Sequence, residues 1–283
     1  MDTREFTDAD GIDIVYDVHR AGGTPRGVVQ LLHGVGEHAG RYGALISVLT
    51  AAGFTVYADD HRGHGRTGIR QHGGPERLGR LGKGGLRAAT AAVWQLTGII
   101  REENPGLPLV LLGHSWGSFL AQILVNDHPD AWDAVILSGS ALRMPGSLNA
   151  APLNARWAGP DASGLEWLSR NPEVWAEFEA DPLTTDVPLV KLFGPVETLK
   201  LLGRPAKDLG HDIPLLLLVG RDDSVGGPRS VHKLADEYRS RSGLTDVTTL
   251  VYPDARHEIF NELQKDEVFA DVLAWLDRRI AAR

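Results

Sequence analysis

The 283-residue chain sets 29 lysines and arginines against 37 aspartates and glutamates, a formal net charge of −8, with 42% hydrophobic residues and no cysteine. That balance suits a folded globular protein and argues against nucleic acid or an anionic membrane as the main partner. The missing cysteines exclude disulfides, thiolate metal sites and a cysteine nucleophile, and the length allows one large α/β domain with an insertion or two small domains.

Met1-Asp2-Thr3-Arg4-Glu5 lacks the apolar core of a signal peptide, and the longest aliphatic run, Leu215 to Val219, is far too short to span a bilayer. A cytoplasmic protein with no integral membrane segment is expected. Ile12 to Val18 roughly alternates after the turn Ala9-Asp10-Gly11, which predicts an N-terminal hairpin. Gly27 to Leu32 predicts a second strand, followed by a glycine-rich loop and a helix from Tyr42 to Ala52. Phe54 to Ala58 predicts a core strand ending at Asp59-Asp60, and Leu86 to Arg101 a helix. Pro108 to Leu112 is a short continuous aliphatic run, as in a strand buried on both faces, and Phe119 to Val125 then takes helical spacing. Further strands are predicted at Asp133–Leu137, Ile213–Val219 and Val247–Tyr252, with a closing helix from Glu262 to Ala282. Strands alternating with helices imply a mostly parallel central sheet flanked by helices.

Between Ala141 and Gly210 the alternation stops. The stretch holds Trp157, Trp167, Trp175, Phe178 and Phe193 but no convincing core strand. Asn171-Pro172-Glu173 and Asp186-Val187-Pro188 look like helix starts. The expectation is a helical lid at residues 141–210 inserted into a core made of residues 1–140 and 211–283.

The turn between the aliphatic strand and its helix is Gly113-His114-Ser115-Trp116-Gly117. Gly-x-Ser-x-Gly between a strand and a helix is a nucleophile elbow, the signature of an α/β-hydrolase fold, and it points to Ser115 as nucleophile. A serine hydroxyl needs a base, and the base needs an orienting group, here in the chain order serine, acid, histidine. The strand from Leu215 to Val219 runs into Gly220-Arg221-Asp222-Asp223, and the strand ending at Tyr252 runs into Pro253-Asp254-Ala255-Arg256-His257. His257 is the candidate base, and residue chemistry alone leaves the acid open between Asp222 and Asp223. His33-Gly34-Val35-Gly36 follows the strand ending at Leu32, where the second oxyanion-donor loop belongs, so the backbone N–H groups of Val35 and Trp116 are the candidate oxyanion hole.

These pieces together resemble the monoacylglycerol lipase and lysophospholipase-like branch of serine α/β-hydrolases, also classed with the serine aminopeptidases. The matching segments are His33 to His38 with Arg41-Tyr42, Asp60 to Gly65, Gly113 to Gly117, Gly220 to Asp223, and Arg256-His257-Glu258. The resemblance implies ester hydrolysis through an acyl-enzyme, with no cofactor and no metal. Its spacing from Gly220 selects Asp223 as the acid. Trp116 departs from the methionine common after the nucleophile, and Thr67 stands where serine is frequent. With the tryptophan-bearing insertion, Trp116 suggests an apolar, walled pocket for a small ester of short to medium acyl chain.

Rival readings have their own motifs. Gly34-Val35-Gly36-Glu37-His38-Ala39, with Asp59 and Asp60 downstream, imitates a dinucleotide-binding fingerprint but leaves Ser115, Asp223 and His257 unexplained. His257-Glu258-Ile259-Phe260-Asn261 matches a zinc-protease helix except at its last position. A non-catalytic binding protein of this fold would usually lack a triad member. An aminopeptidase would need an acidic clamp for a free amine, with Glu166, Glu173, Glu177 and Glu179 as candidates against the plainer reading of a solvated helix face.

Overall fold

A computed structural model describes residues 1–280, so Ala281 and Ala282 of the predicted closing helix lie outside the described residues. Eight strands form one sheet: β1 (Asp2–Thr7), β2 (Asp13–His19), β3 (Gly27–Leu32), β4 (Phe54–Asp59), β5 (Leu109–His114), β6 (Ala134–Ser138), β7 (Leu215–Gly220) and β8 (Val247–Tyr252). Their order across the sheet is β1-β2-β4-β3-β5-β6-β7-β8. The hairpin β1–β2 pairs antiparallel and β2 joins β4 antiparallel, while every other pairing is parallel. This mostly parallel sheet, with an antiparallel hairpin at one edge and helices on both faces, is the α/β-hydrolase fold expected from the sequence.

Every residue of β3, β4, β5 and β7 is buried, which is why these strands read as mainly apolar runs. Alternate residues serve opposite faces. Val28, Leu32, Leu109, Leu111, Leu215 and Leu217 pack with α3 (Gly85–Glu103), α4 (Trp116–Asp127) and α7 (Gly227–Ser240). Val29, Leu31, Val110, Leu112, Leu216 and Leu218 pack with α1 (Gly43–Ala51) and α8 (Lys265–Asp277). Because β3, β5, β7 and β8 are parallel, the loops leaving Leu32, His114, Gly220 and Tyr252 all emerge at one edge, where ligands bind in open α/β sheets. Among the described residues no helix is long and apolar enough to cross a membrane.

Two helices lie outside the predicted set: α2 (Gly65–His72) and α7. Between β6 and β7 come α5 (Pro172–Ala180) and α6 (Leu189–Lys200). Asn171 caps α5 by accepting the Glu173 N–H. Pro188 directly precedes α6, which bends at Gly194 (φ 78°, ψ 164°) ahead of Pro195. Leu165, Leu168 and Phe178 make a small apolar cluster of their own, while Leu192 and Phe193 of α6 join the main core.

Candidate active site

A single residue separates β5 from α4, and it is Ser115, with φ 52° and ψ −122°. Such a backbone costs a non-glycine residue about 1–3 kcal/mol and persists only where its surroundings impose it. The Ser115 N–H donates to the Ser138 carbonyl at 2.9 Å, while the Ser118 and Phe119 amides donate to the Ser115 carbonyl at 2.9 and 3.2 Å. Gly117 is a close-approach glycine: a Cβ there would run into the carbonyls of Leu32 and His33. The elbow is therefore wedged between β3 and the end of β6, and Ser115 itself stays only partly buried.

His257 follows β8, and its Nδ1 lies 3.0 Å from Asp223 Oδ2, both side chains being buried. The other Asp223 oxygen, Oδ1, accepts the Val225 N–H at 2.7 Å. A carboxylate accepts only, so the imidazole keeps its proton on Nδ1 and its lone pair on Nε2. Among the described residues Nε2 has no hydrogen-bond partner although it is buried. Burial pulls the His257 pKa down, but the Asp223 charge and hydrogen bond, with Glu258 and Glu37 behind them, outweigh it and leave the group above its ordinary 6.5. Burial likewise pushes Asp223 up, yet the His257 charge and the two hydrogen bonds hold it below 3.8. Asp222 is turned away and pairs with Arg156.

Gly139 joins these elements. A Cβ at this position (φ 55°) would lie 2.9 Å from His257 Cε1 and 3.0 Å from Nδ1. Ser138 and Gly139 thus seat the elbow with one carbonyl and the base with a bare Cα. His114 sits 4.8 Å from the His257 ring and bonds Ser138 Oγ at 3.1 Å. Burial and the neighbouring His257 push its pKa down to about 3, so it adds no charge near the base at neutral pH. Trp167, from the stretch between β6 and β7, also packs against the His257 ring, at 5.0 Å.

Val35 lies between two anchored residues. The Gly34 N–H donates to Glu37 Oε1 at 2.6 Å, and the Gly36 carbonyl accepts the Thr185 N–H at 2.8 Å. His33 Nδ1 donates to the Gly34 carbonyl at 2.7 Å while its Nε2 accepts the His61 N–H at 3.0 Å. That tautomer is neutral, and burial followed by the nearby His61 and His64 holds the His33 pKa well below 6.5. The Trp116 amide opens α4 beside Ser115, and its indole fills the space between His64 (4.9 Å) and Phe193 (5.1 Å).

The residues of the rival motifs are engaged elsewhere. Asp60 accepts from the Ala39 and Arg66 amides and from Arg66 Nε, and Asp59 holds His61 Nδ1 at 2.7 Å. Glu258 faces Arg41, with Asn261 donating to it. Among the described residues no group of three or more metal-ligating side chains is placed to hold an ion. Glu166 closes its own loop through Asn154, Ser163 and Gly164, whereas Glu173, Glu177 and Glu179 are exposed on α5. Thr67 accepts the Val15 N–H at 2.9 Å, which ties α2 to β2. Sequence reasoning assigned no role to Gly139 or to Trp167 beside the base. Their signal was a glycine two residues past a predicted strand and one of several tryptophans.

A family model described as serine aminopeptidase, S33, matches residues 23–264. The monoacylglycerol lipase of Mycolicibacterium smegmatis is 34% identical over 281 residues, covering 96% of this chain and 95% of that protein. The crystal structure of a highly thermostable carboxyl esterase from Bacillus coagulans, in complex with glycerol, superposes with a TM-score of 0.81 at 26% identity, covering 99% of each chain. A monoacylglycerol lipase from Paleococcus ferrophilus gives 0.70 at 28% identity, covering 93% of this chain and 99% of the other.

Proposed function

The chain belongs to the serine aminopeptidase S33 family of hydrolases, and from that membership and the site geometry we propose that it hydrolyses carboxylic esters through an acyl-enzyme on Ser115. The observation that carries the reading is His257, bonded through Nδ1 to the buried Asp223 at 3.0 Å with Nε2 left open, on the same sheet edge as a serine held at φ 52°. Ser115 Oγ adds to the ester carbonyl carbon as His257 Nε2 takes its proton. The Val35 and Trp116 N–H groups stabilise the oxyanion, worth roughly 10²–10³ in turnover for one donor. On collapse the alkoxide leaves with the proton from Nε2, giving the alcohol and the acyl-serine. Water, deprotonated by the same nitrogen, then releases the acid and restores Ser115. Asp223 fixes the tautomer and stabilises the imidazolium.

The substrate we propose is a monoacylglycerol-like ester, the class the relatives above are named for, and its acyl chain is short to medium. Residues 141–210 then act as a helical lid over the carboxyl edge, with Trp116 and Phe193 as an apolar wall. A fluorophosphonate should label the native protein and fail on Ser115→Ala, and a panel of acylglycerols should be turned over faster than matched aminoacyl amides. Label that persists in the variant, or maps to Ser118, overturns the assignment of the nucleophile. Faster amide cleavage overturns the ester reading.

A further inference from the structure

Glu37, Arg41 and Glu258 belong to motifs at opposite ends of the chain, and none of them has a part in the steps above. Arg41 Nη1 donates to Glu37 Oε2 at 2.8 Å and to Glu258 Oε1 at 2.6 Å, and Nη2 donates to Glu258 Oε2 at 2.8 Å. The three side chains are only 9%, 4% and 4% exposed. Each carboxylate is also tied to a loop of the site. Glu37 Oε1 accepts the Gly34 N–H and the Tyr42 hydroxyl, both at 2.6 Å, next to Val35. Glu258 follows His257 directly, its N–H donating to the Leu168 carbonyl at 2.7 Å and its Oε2 accepting from Asn261 at 3.0 Å. Phe178 of α5 covers the guanidinium at 4.9 Å.

Burying three charges is a poor way to gain stability, because desolvation consumes most of the Coulomb attraction and apolar packing of equal volume serves as well. What apolar packing cannot do is fix two loops at a set distance and angle, which a planar guanidinium fork does. We propose that Arg41 is a positioning residue that holds the oxyanion-donor loop and the base loop in register, so that the Val35 N–H and His257 Nε2 converge on Ser115. The proposal rests on the ester-hydrolase reading above. Without the guanidinium, Glu37 faces Glu258 unscreened and is free to swing away from the Gly34 N–H, releasing the backbone one residue ahead of the Val35 N–H.

The test compares Arg41→Met, Arg41→Lys, Glu37→Gln, Glu258→Gln and the double glutamine variant, each checked by melting temperature. The readouts are kcat, KM and inhibition by a trifluoromethyl ketone, whose adduct needs the oxyanion donors. Losing the function of one donor costs about 10²–10³, so Arg41→Met should lose on the order of 100-fold in kcat and in ketone affinity together, with KM unchanged. Arg41→Lys, a single point donor, should fall between Met and wild type. The effects of the two glutamine substitutions should combine to less than their product, since both act through one bridge. Should Arg41→Met not fold, Arg41→Lys and the glutamine pair decide. Folded variants with wild-type kcat and ketone affinity, a change confined to KM, or glutamine effects that multiply would each overturn the proposal. Absence of fluorophosphonate labelling and ester turnover in the wild-type protein would instead overturn the ester-hydrolase reading.

Discussion

Asp222 and Asp223 are adjacent in the chain yet live in different surroundings. The Asp223 side chain is 0% exposed and bound to the His257 imidazole and the Val225 amide, whereas the Asp222 side chain is 25% exposed and meets Arg156 on the surface. A partly exposed ion pair is worth about 0–1 kcal/mol, but an amide in place of the buried carboxylate favours the wrong tautomer and costs about 10⁴ in turnover. Asp223→Asn should therefore be nearly inert while Asp222→Asn keeps most of its kcat, both melting close to wild type. The reverse ranking would shift the acid by one residue. Residue chemistry could not separate the two because a pair at a strand end carries no signal of which side chain turns inward; the spacing from Gly220, a family trait, chose Asp223. The places of Ser115 at the strand-to-helix turn and of His257 after the last strand were legible from motif and chain order. Gly139 was not, because its reason is a tertiary approach of Cα to His257 that leaves no local pattern.

The central strands were read almost to their ends because burial on both faces writes itself as runs of Val and Leu. The two helices outside that reading fail differently. In α7, Val231, Leu234, Ala235 and Tyr238 form a buried stripe at helical spacing, diluted by a polar outer face. In α2 the buried positions are Gly65, Thr67 and Gly68, so no apolar stripe exists to find. The stretch between β6 and β7 was read as an insertion, but its anchoring is a matter of backbone and stacking contacts. Trp167 and Leu168 carbonyls accept the His257 and Glu258 amides at 3.3 and 2.7 Å, and Arg256 Nη1 donates to the Glu166 and Ser169 carbonyls at 2.6 and 3.1 Å. Arg256 also stacks at 4.4 Å on Trp157. Arg256→Met forfeits those bonds and the cation–π contact, each worth about 1 kcal/mol. It should increase hydrogen exchange and proteolysis around residues 155–170 while strands β5 and β7 stay protected. Uniform loss of protection across the sheet would show that Arg256 supports the global fold instead.

For the molecule as a whole, pH should set activity against stability. The His257 pKa lies above 6.5 because Asp223, with Glu258 and Glu37, outweighs the burial that pulls it down. A group raised on folding contributes stability that is complete below its unfolded value and is lost as pH climbs through the folded one. The base works only when neutral, so activity rises through that same folded pKa, in the interval where the charged pair ceases to stabilise. On the acid side the signs divide. Burial pushes Glu258 up, but Arg41 outweighs it and brings the pKa down to about 2, so its contribution is present above 4.5 and lost as pH falls toward about 2. Burial, opposed by Arg41 but joined by Glu258, leaves Glu37 above 4.5, so its contribution is complete below 4.5 and fades as pH rises through its folded pKa. Measuring melting temperature and kcat/KM against pH for wild type, with melting alone for His257→Gln, separates the histidine from the carboxylates. The wild-type advantage in melting temperature should shrink above pH 6.5 along the same curve on which kcat/KM grows. An activity midpoint below 6.5, or an advantage that stays flat while activity climbs, would mean that the Asp223–His257 pair does not govern either property.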